Sequence, residues 1–298
     1  MRIKPINLKN KAKAKFVNPA NSDILISNGG KTYNLSNIKG LFLIAGPCVV
    51  ESERLCMETA KKLKDISLRL KLPFIFKASY KKANRTSGSS FRSIGVMESL
   101  EILGKIRQKL GISVLTDIHS EVEAEIAAEY VDVLQIPAFL SRQSELLEAA
   151  AETGRIVNIK KGQFLSPYDM IHQINKVKSA GNNKVMITER GTTFGYNNLV
   201  VDMRSLEIMR SFGCPVVFDA THSVQMPSKD KGVSGGNPEF IRPLASAAAA
   251  IGINGVFIET HPNPAKALSD ASSMLKLDKI KDLLKRLIAI HKTINSKP

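Results

Sequence analysis

Five cationic side chains stand at or just after the ends of short apolar runs. They are Lys77, Lys82, Arg85, Lys160 and Arg190. The segment 77–92 alone holds five cations, six hydroxyl groups and no acidic residue. Arginine binds phosphate or carboxylate through two parallel hydrogen bonds, whereas lysine acts as a point charge. Because cations that converge on one cleft repel each other, the pattern predicts a small substrate with more than one anionic group.

A second set of residues offers sulfur, nitrogen and oxygen donors. It comprises Cys48, His222, Glu259 and Asp270. Such a mixture suits a divalent transition metal. The spacing of the four residues along the chain does not indicate a metal site. From the residue types alone, a buried structural Cys48 and a hydrogen-bonded His222 are favoured over metal binding.

Eight apolar, β-branched runs must position these side chains, and segments with helical periodicity separate them. The runs are 40–47, 73–79, 112–119, 131–139, 156–162, 184–190, 215–222 and 255–262. Eight such units over about 250 residues predict an α/β protein with a closed (β/α)₈ barrel, whose active site lies at the carboxyl ends of the strands. An open doubly wound sheet is the alternative, but no glycine-rich dinucleotide loop follows the first run.

The segment before the first run predicts a β-hairpin. "DILISNGGKTYNL" alternates around Asn-Gly-Gly, a hairpin signal. We expect it to cap the amino-terminal mouth of the barrel. No linker or break in composition follows, so we predict an extension at 1–39 and one catalytic barrel domain at 40–298.

Composition limits the partners and the compartment. The net charge of +16 requires an anionic partner, but aromatic residues make up only 6% and tryptophan is absent, which disfavours nucleic-acid binding by stacking. Three cysteines without regular spacing indicate a reducing compartment. We find no apolar run of membrane-spanning length and no signal peptide, so we expect a cytoplasmic protein without a membrane partner.

Several motifs identify a family. From about residue 41 to 275, the chain resembles the 3-deoxy-D-manno-octulosonate 8-phosphate synthases. The motifs are "IAGPCVVES", "FKASYKKANRTS", "TDIHS", "LQIPAFLSRQ", "NIKKGQFLSP", "ERGTTFGYNNLVVDMRS", "FDATHSVQ" and "FIETHPNPAKALSDASS". The resemblance implies a homotetrameric (β/α)₈ transferase of lipopolysaccharide precursor synthesis that joins phosphoenolpyruvate to arabinose 5-phosphate.

The resemblance also implies roles for individual residues. The phosphoenolpyruvate side would comprise Lys77, Lys82, Gln135, Lys160 and Arg190, and Gln163 belongs to the same substrate-binding set. The sugar side would comprise Asn84, Arg85, Thr86 and Asp117, with Arg142 reaching the sugar phosphate of a neighbouring subunit. The residues expected to act in catalysis are Lys82, Asn84, His222 and Asp270.

The family divides into metal-dependent and metal-independent members at the residue after Gly-Pro. The former have cysteine there and the latter asparagine. This chain has Cys48 and retains His222, Glu259 and Asp270. It therefore resembles the metal-dependent class, which implies a divalent ion such as zinc, manganese, iron or cobalt.

The chain departs from the family pattern in one loop. Tyr80 and Lys81 replace the common Phe-Asp, and Gly88-Ser89 replaces Ile-His. The nearest rival is a 3-deoxy-heptulosonate 7-phosphate synthase that uses erythrose 4-phosphate, with Lys-Pro-Arg-Thr-Ser in this loop. Ala83-Asn84-Arg85 favours the longer sugar, although Thr86-Ser87 is similar to the rival. A sialic-acid-type synthase is more remote, because its unphosphorylated sugar would not need Arg85 and Arg142.

Overall fold

The structure is a computed structural model, and it describes residues 23–83, 91–230 and 233–295. Its strands are β1 (Leu25–Asn28), β2 (Lys31–Asn34), β3 (Phe42–Gly46), β4 (Phe74–Lys77), β5 (Ser113–Asp117), β6 (Val133–Ile136), β7 (Ile156–Lys160), β8 (Val185–Glu189), β9 (Thr192–Thr193), β10 (Leu199–Val200), β11 (Val216–Asp219), β12 (Gln225–Asp230), β13 (Val233–Gly236), β14 (Gly255–His261) and β15 (Leu275–Lys276). Its α-helices are α1 (Glu53–Leu70), α2 (Val96–Leu110), α3 (Glu121–Tyr130), α4 (Ser144–Glu152), α5 (Met170–Ser179), α6 (Arg204–Arg210), α7 (Ile241–Ile251) and α8 (Ile280–Asn295).

Eight parallel strands close into a barrel. The order runs from β3 through β8 to β11 and β14, and β14 pairs with both β11 and β3. This closure confirms the predicted (β/α)₈ fold and excludes the open sheet. Each predicted apolar run contains one of these strands. The run 131–139 is longer than β6 because Pro137 cannot donate to a sheet and a 3-10 turn, Ala138–Leu140, follows it.

The barrel interior changes from apolar to polar along each strand. Successive side chains point to opposite faces, so alternate residues of β7 share one face: Ile156, Asn158 and Lys160. Ile156 belongs to a buried apolar cluster with one or two residues from each barrel strand, including Phe42, Leu115 and Phe257. The polar positions lie further along the strands, where the carboxyl ends meet.

The predicted hairpin is confirmed. Gly29 and Gly30 have φ values of 61° and 81°, the left-handed conformation that its tight turn requires. The Gly29 N–H donates to the Gly111 carbonyl at 3.0 Å, next to the start of β5. Ile24 and Ile26 join the apolar cluster inside the barrel. The hairpin therefore packs at the amino-terminal ends of the strands, while the division into 1–39 and 40–298 stays a prediction.

The helices cover the outer face of the sheet. In α1 the Ser52 side chain accepts a hydrogen bond from the Leu55 N–H at 3.2 Å, an ordinary amino-terminal cap. The last helix, α8, buries one face, which includes Ile280, Leu284 and Leu287. No helix in the described part of the chain is long and apolar enough to cross a membrane.

Candidate active site and metal centre

Polar side chains from four neighbouring strands form a hydrogen-bonded row across the carboxyl end of the barrel. Thr188 donates to Asn158 Oδ1 at 2.9 Å, and Asn158 Nδ2 donates to Gln135 Oε1 at 2.9 Å. Gln135 Nε2 then donates to Asp117 Oδ1 at 2.6 Å. All four side chains are buried, so the row fixes the orientation of Gln135 and Asp117 before any ligand binds.

Asp117 is where this row meets three lysines. Its Oδ2 accepts from Ser79 Oγ at 2.5 Å and lies 3.8 Å from Lys77 Nζ. Burial alone would raise the pKa of Asp117, but the charges of Lys77, Lys82 and Lys160 lower it below its ordinary value. Asp117 is therefore ionised at neutral pH. Three of the predicted cations surround it.

Lys77 has a buried carboxylate partner of its own. Its Nζ lies 2.5 Å from Glu259 Oε1 and donates to the Cys48 carbonyl at 3.0 Å. Burial would raise the pKa of Glu259, but the charges of Lys77 and His222 lower it. The sequence predicted that substrate anions balance the cations. For Lys77 the protein itself supplies the counter-charge, which is the Glu259 carboxylate. This ion pair connects the predicted cations to the predicted metal ligands.

Asp219 orients both Lys160 and His222. Its Oδ2 accepts from Lys160 Nζ at 2.7 Å and lies 2.7 Å from His222 Nδ1, while Oδ1 accepts from the His222 N–H at 2.8 Å. Burial would raise the pKa of Asp219, but His222 and Lys160 lower it, so the carboxylate accepts from Nδ1–H. His222 Nε2 then faces Glu259 Oε1 at 3.5 Å. This orientation leaves Nε2 available as a metal ligand.

Arg190 is buried at the same end of the barrel. Its Nη2 donates to Gln225 Oε1 at 3.0 Å, but Nη1 is buried without a hydrogen-bond partner among the described residues. Burial lowers the pKa of Arg190, and an arginine remains charged. A buried guanidinium nitrogen without a partner is costly, and a bound anionic group would supply the acceptor that it lacks.

Three of the four predicted metal ligands come together. The donor atoms of Cys48, Glu259 and Asp270 all lie within 4.8 Å of one another. Cys48 Sγ donates to Asp270 Oδ2 at 2.9 Å, and Ser269 Oγ lies 2.9 Å from the sulfur. Glu259 Oε2 is buried without a hydrogen-bond partner in the described ranges. The fourth predicted ligand, His222, is not part of this cluster of donor atoms, but its Nε2 lies 3.5 Å from Glu259 Oε1.

The chemistry of this cluster fits a divalent cation. Burial raises the pKa of the Cys48 thiol well above its ordinary value, and the charges of Asp270 and Glu259 raise it further. A cation at the cluster would reverse this effect and stabilise the thiolate. Asp270 has φ 48° and ψ 31°, the left-handed conformation, which aspartate adopts more readily than most residues other than glycine. In this conformation its carboxylate accepts from Cys48 Sγ.

The remaining predicted residues have different locations. Gln163 is buried, and its carbonyl accepts from the Thr193 N–H at 2.9 Å, so it links the loops after β7 and β8. Arg142 is exposed in the loop after β6, and its carbonyl accepts from Lys176. Within the described ranges, its side chain makes no hydrogen bond or ion pair with the site residues of its own subunit. The predicted ligands Asn84, Arg85 and Thr86 lie outside the described residues.

Two residues that hold the site together are not among the predicted site residues. Asn158 stands between Ile156 and Lys160 on the inward face of β7, so the two-residue period of the strand could have identified it. Asp219 lies in the predicted run 215–222, three positions before His222. Its bonds to both Lys160 and His222 needed the three-dimensional arrangement.

The chain is similar to known proteins over most of its length. The model of the DAHP synthetase I family matches residues 28–296. A protein of Acidithiobacillus ferrooxidans named 2-dehydro-3-deoxyphosphooctonate aldolase is 56% identical over 246 residues, 83% of this chain and 88% of that protein. A protein with the same name from Methylibium petroleiphilum is 55% identical over 263 residues, 86% of this chain and 92% of that protein. Another, from Dichelobacter nodosus, is 51% identical over 258 residues, 87% of this chain and 93% of that protein. These relatives confirm the resemblance that the motifs predicted. The chain belongs to the DAHP synthetase I family.

Proposed function

We propose that this chain condenses phosphoenolpyruvate with D-arabinose 5-phosphate and water to give 3-deoxy-D-manno-octulosonate 8-phosphate and phosphate, a step of lipopolysaccharide precursor synthesis. The observation that carries the proposal is the buried set Lys77, Lys160 and Arg190 beside the cluster of Cys48 and Glu259. The name of the relatives describes the same phosphorylated eight-carbon keto sugar acid.

The cations would bind phosphoenolpyruvate. Arg190 offers a buried Nη1 without a partner among the described residues, and Lys160 lies in the same cleft, bonded to Asp219. Lys82 donates from Nζ to Ser79 Oγ at 2.9 Å and is half-buried. Burial opposes the charge of Lys82, but the carboxylates of Glu259, Asp270 and Asp117 raise its pKa above its ordinary value. Lys82 is therefore a stable cation beside the ligand cluster, suited to a phosphate or carboxylate.

The sugar would bind on the other side of Lys82. We assign its contacts to Asn84, Arg85 and Thr86, and its hydroxyl groups to Asp117. Asp117 already accepts hydrogen bonds from Ser79 and Gln135, which hold the carboxylate in one orientation.

The reaction forms one carbon–carbon bond. The π electrons of phosphoenolpyruvate attack the aldehyde carbon from C3, and the aldehyde oxygen becomes an alkoxide that takes a proton. Water adds at C2, which has become electron-poor, and phosphate leaves with cleavage of its bond to C2. The cations would hold two anionic substrates side by side and balance the charge that develops, which are the contributions of orientation and electrostatic preorganisation.

Four residues would hold a divalent ion. They are Cys48, His222, Glu259 and Asp270, and the ion would supply Lewis-acid polarisation of an oxygen atom at the reacting centre. Asp219 positions His222 for that role through the 2.7 Å contact with Nδ1. Zinc, manganese, iron and cobalt all suit this donor set.

We also propose a homotetramer in which Arg142 reaches the active site of a neighbour. Arg142 shares its loop with Phe139, which is 55% exposed, and Phe164 on the next loop is also 55% exposed. Exposed aromatic side chains beside a charged residue suit a subunit interface. The three cysteines are buried and free, which suits the reducing cytoplasm in which we place the protein.

The choice of sugar tests this proposal. The purified protein, loaded with a divalent metal, is incubated with phosphoenolpyruvate and either arabinose 5-phosphate or erythrose 4-phosphate, and phosphate release is measured. We expect release with arabinose 5-phosphate. Release with erythrose 4-phosphate alone would show a heptulosonate synthase instead.

A further inference from the structure

One carboxylate on the outside of the active-site loop receives an unusual number of hydrogen bonds. Glu123 lies in the first turn of α3. It accepts from the Tyr80 hydroxyl and the Lys81 ammonium. It also accepts from the His119 N–H at 2.9 Å and lies 3.1 Å from His119 Nδ1. We name Tyr80, Lys81, His119 and Glu123 the Glu123 cluster.

The Glu123 cluster lies directly behind Lys82. Ser79 and Lys82 turn toward the active site, where Lys82 Nζ donates to Ser79 Oγ and Ser79 donates to Asp117. The two residues between them turn the other way, toward α3. The segment 79–82 is therefore held on one face by the substrate pocket and on the other by Glu123.

The contacts in the cluster are well shielded from water. Tyr80 is 1% exposed, and its ring packs edge-on against His119 with the ring centroids 6.0 Å apart. The side chains of Lys81 and Glu123 are 29% and 18% exposed. An ion pair that is partly shielded and shares its carboxylate with two further donors restrains the loop more than a surface pair does.

Helix capping alone does not account for Glu123. Ser120 and Glu123 have the spacing of a capping box, in which the glutamate returns to the backbone N–H of the cap residue. Here the Ser120 side chain makes no capping hydrogen bond, and Glu123 bonds to the N–H of His119, one residue earlier. Its remaining bonds go to Tyr80 and Lys81, which belong to a different loop.

We propose that Glu123 is a positioning residue, which sets the place of Lys82 in the phosphoenolpyruvate pocket through its bonds to Tyr80 and Lys81. Lys81 replaces the family's common aspartate, and here its charge faces α3 and not the pocket. The Tyr80-Lys81 replacement and Glu123 thus form one matched set. This inference rests on the proposed function for the role of Lys82.

The test compares Glu123→Gln with a matched control on the same helix turn. Glu121→Gln removes the same charge from the first turn of α3, where Glu121 is exposed. Initial rates of phosphate release give kcat and KM for each substrate, and thermal unfolding is recorded in parallel. We expect kcat/KM for phosphoenolpyruvate to fall roughly 10- to 100-fold in Glu123→Gln, the range for a displaced binding group, and to change less than about twofold in the control.

A variant of Lys81 separates the bonds that Glu123 accepts. In Lys81→Met the bond from the ammonium is lost, while Glu123 still accepts from the Tyr80 hydroxyl and the His119 N–H, so we expect a smaller loss of kcat/KM for phosphoenolpyruvate than in Glu123→Gln. Glu123→Gln with wild-type kcat and KM would overturn the proposal, whatever its melting temperature. If Glu123→Gln does not fold, Lys81→Met takes its place, and wild-type kinetics in that variant would overturn the proposal equally.

Failure of the proposed function would look different. A wild-type protein that releases phosphate only with another aldose contradicts the sugar assignment, but phosphoenolpyruvate remains the shared substrate. The comparison of variants then still tests Glu123.

Discussion

The Lys77 ammonium and the Glu259 carboxylate form a buried ion pair, 2.5 Å apart, that joins β4 to β14 inside the barrel. Each side chain is 1% exposed. Lys77 belongs to the predicted substrate-binding set and Glu259 to the predicted metal-ligand set, so one contact couples the geometry of the two. The stability of the barrel and the alignment of the site therefore depend on the same residues.

Removal of Lys77 tests this coupling. Lys77→Met leaves Glu259 as a buried charge without its nearest partner, and we expect the free energy of unfolding to fall by about 3–5 kcal/mol. Lys105→Met is the control, because Lys105 pairs with Glu53 at 3.0 Å on the surface, where such a pair contributes about 0–1 kcal/mol. Urea denaturation of both variants provides the measurement. An equal decrease in the free energy of unfolding in the two variants would show that the buried pair stabilises the fold no more than a surface pair does.

Chelation tests the metal centre. Exhaustive treatment with a chelator is expected to abolish phosphate release, and zinc, manganese, iron or cobalt should restore it. The metal content and the melting temperature, which rises when a ligand binds the folded state, provide readouts independent of activity. Cys48→Asn should retain part of its activity without metal, since the sister class has asparagine there. Full activity of a wild-type sample shown to be metal-free would refute the metal claim.

The ionisation of Asp117 should make the free energy of unfolding depend on pH in the acidic range. The folded-state pKa of Asp117 is lowered, so its contribution is fully present above the unfolded pKa, at about 4, and is lost as pH falls through the folded value. We expect the difference in unfolding free energy between wild type and Asp117→Asn to be largest above about pH 4 and to shrink in more acidic buffer. Denaturation at a series of pH values measures it. A difference that does not vary with pH would contradict the ionised state of Asp117.

Hybrid oligomers test the shared active site. Arg142→Ala should cost about 1.5–3 kcal/mol in kcat/KM for arabinose 5-phosphate, the usual range for a lost hydrogen bond to a charged group. Lys82→Ala should be inactive because it removes a cation from the phosphoenolpyruvate pocket of its own subunit. When the two variants are unfolded and refolded together, some pockets combine an intact Lys82 with a neighbour's intact Arg142, and activity should return. Hybrids no more active than the separately refolded variants would place Arg142 outside the neighbouring site.

The sequence predicted the fold and the candidate residues better than it predicted their partners. The eight apolar runs and the Asn-Gly-Gly turn are local signals, and each corresponds to a strand or hairpin of the structure. The bonds of Asp219 to Lys160 and His222 depend on strand register and loop geometry, which no local pattern encodes. Glu123 was missed for another reason: the pattern of Ser120 and Glu123 reads as a helix cap, and Tyr80 and Lys81 lie about forty positions earlier.

The most direct test of the central claim is a competition between sugars. The metal-loaded protein receives phosphoenolpyruvate with equal concentrations of arabinose 5-phosphate and erythrose 4-phosphate, and the products are identified by mass spectrometry while phosphate is quantified. We expect the phosphorylated eight-carbon acid in one-to-one ratio with phosphate. A phosphorylated seven-carbon acid as the main product would contradict it.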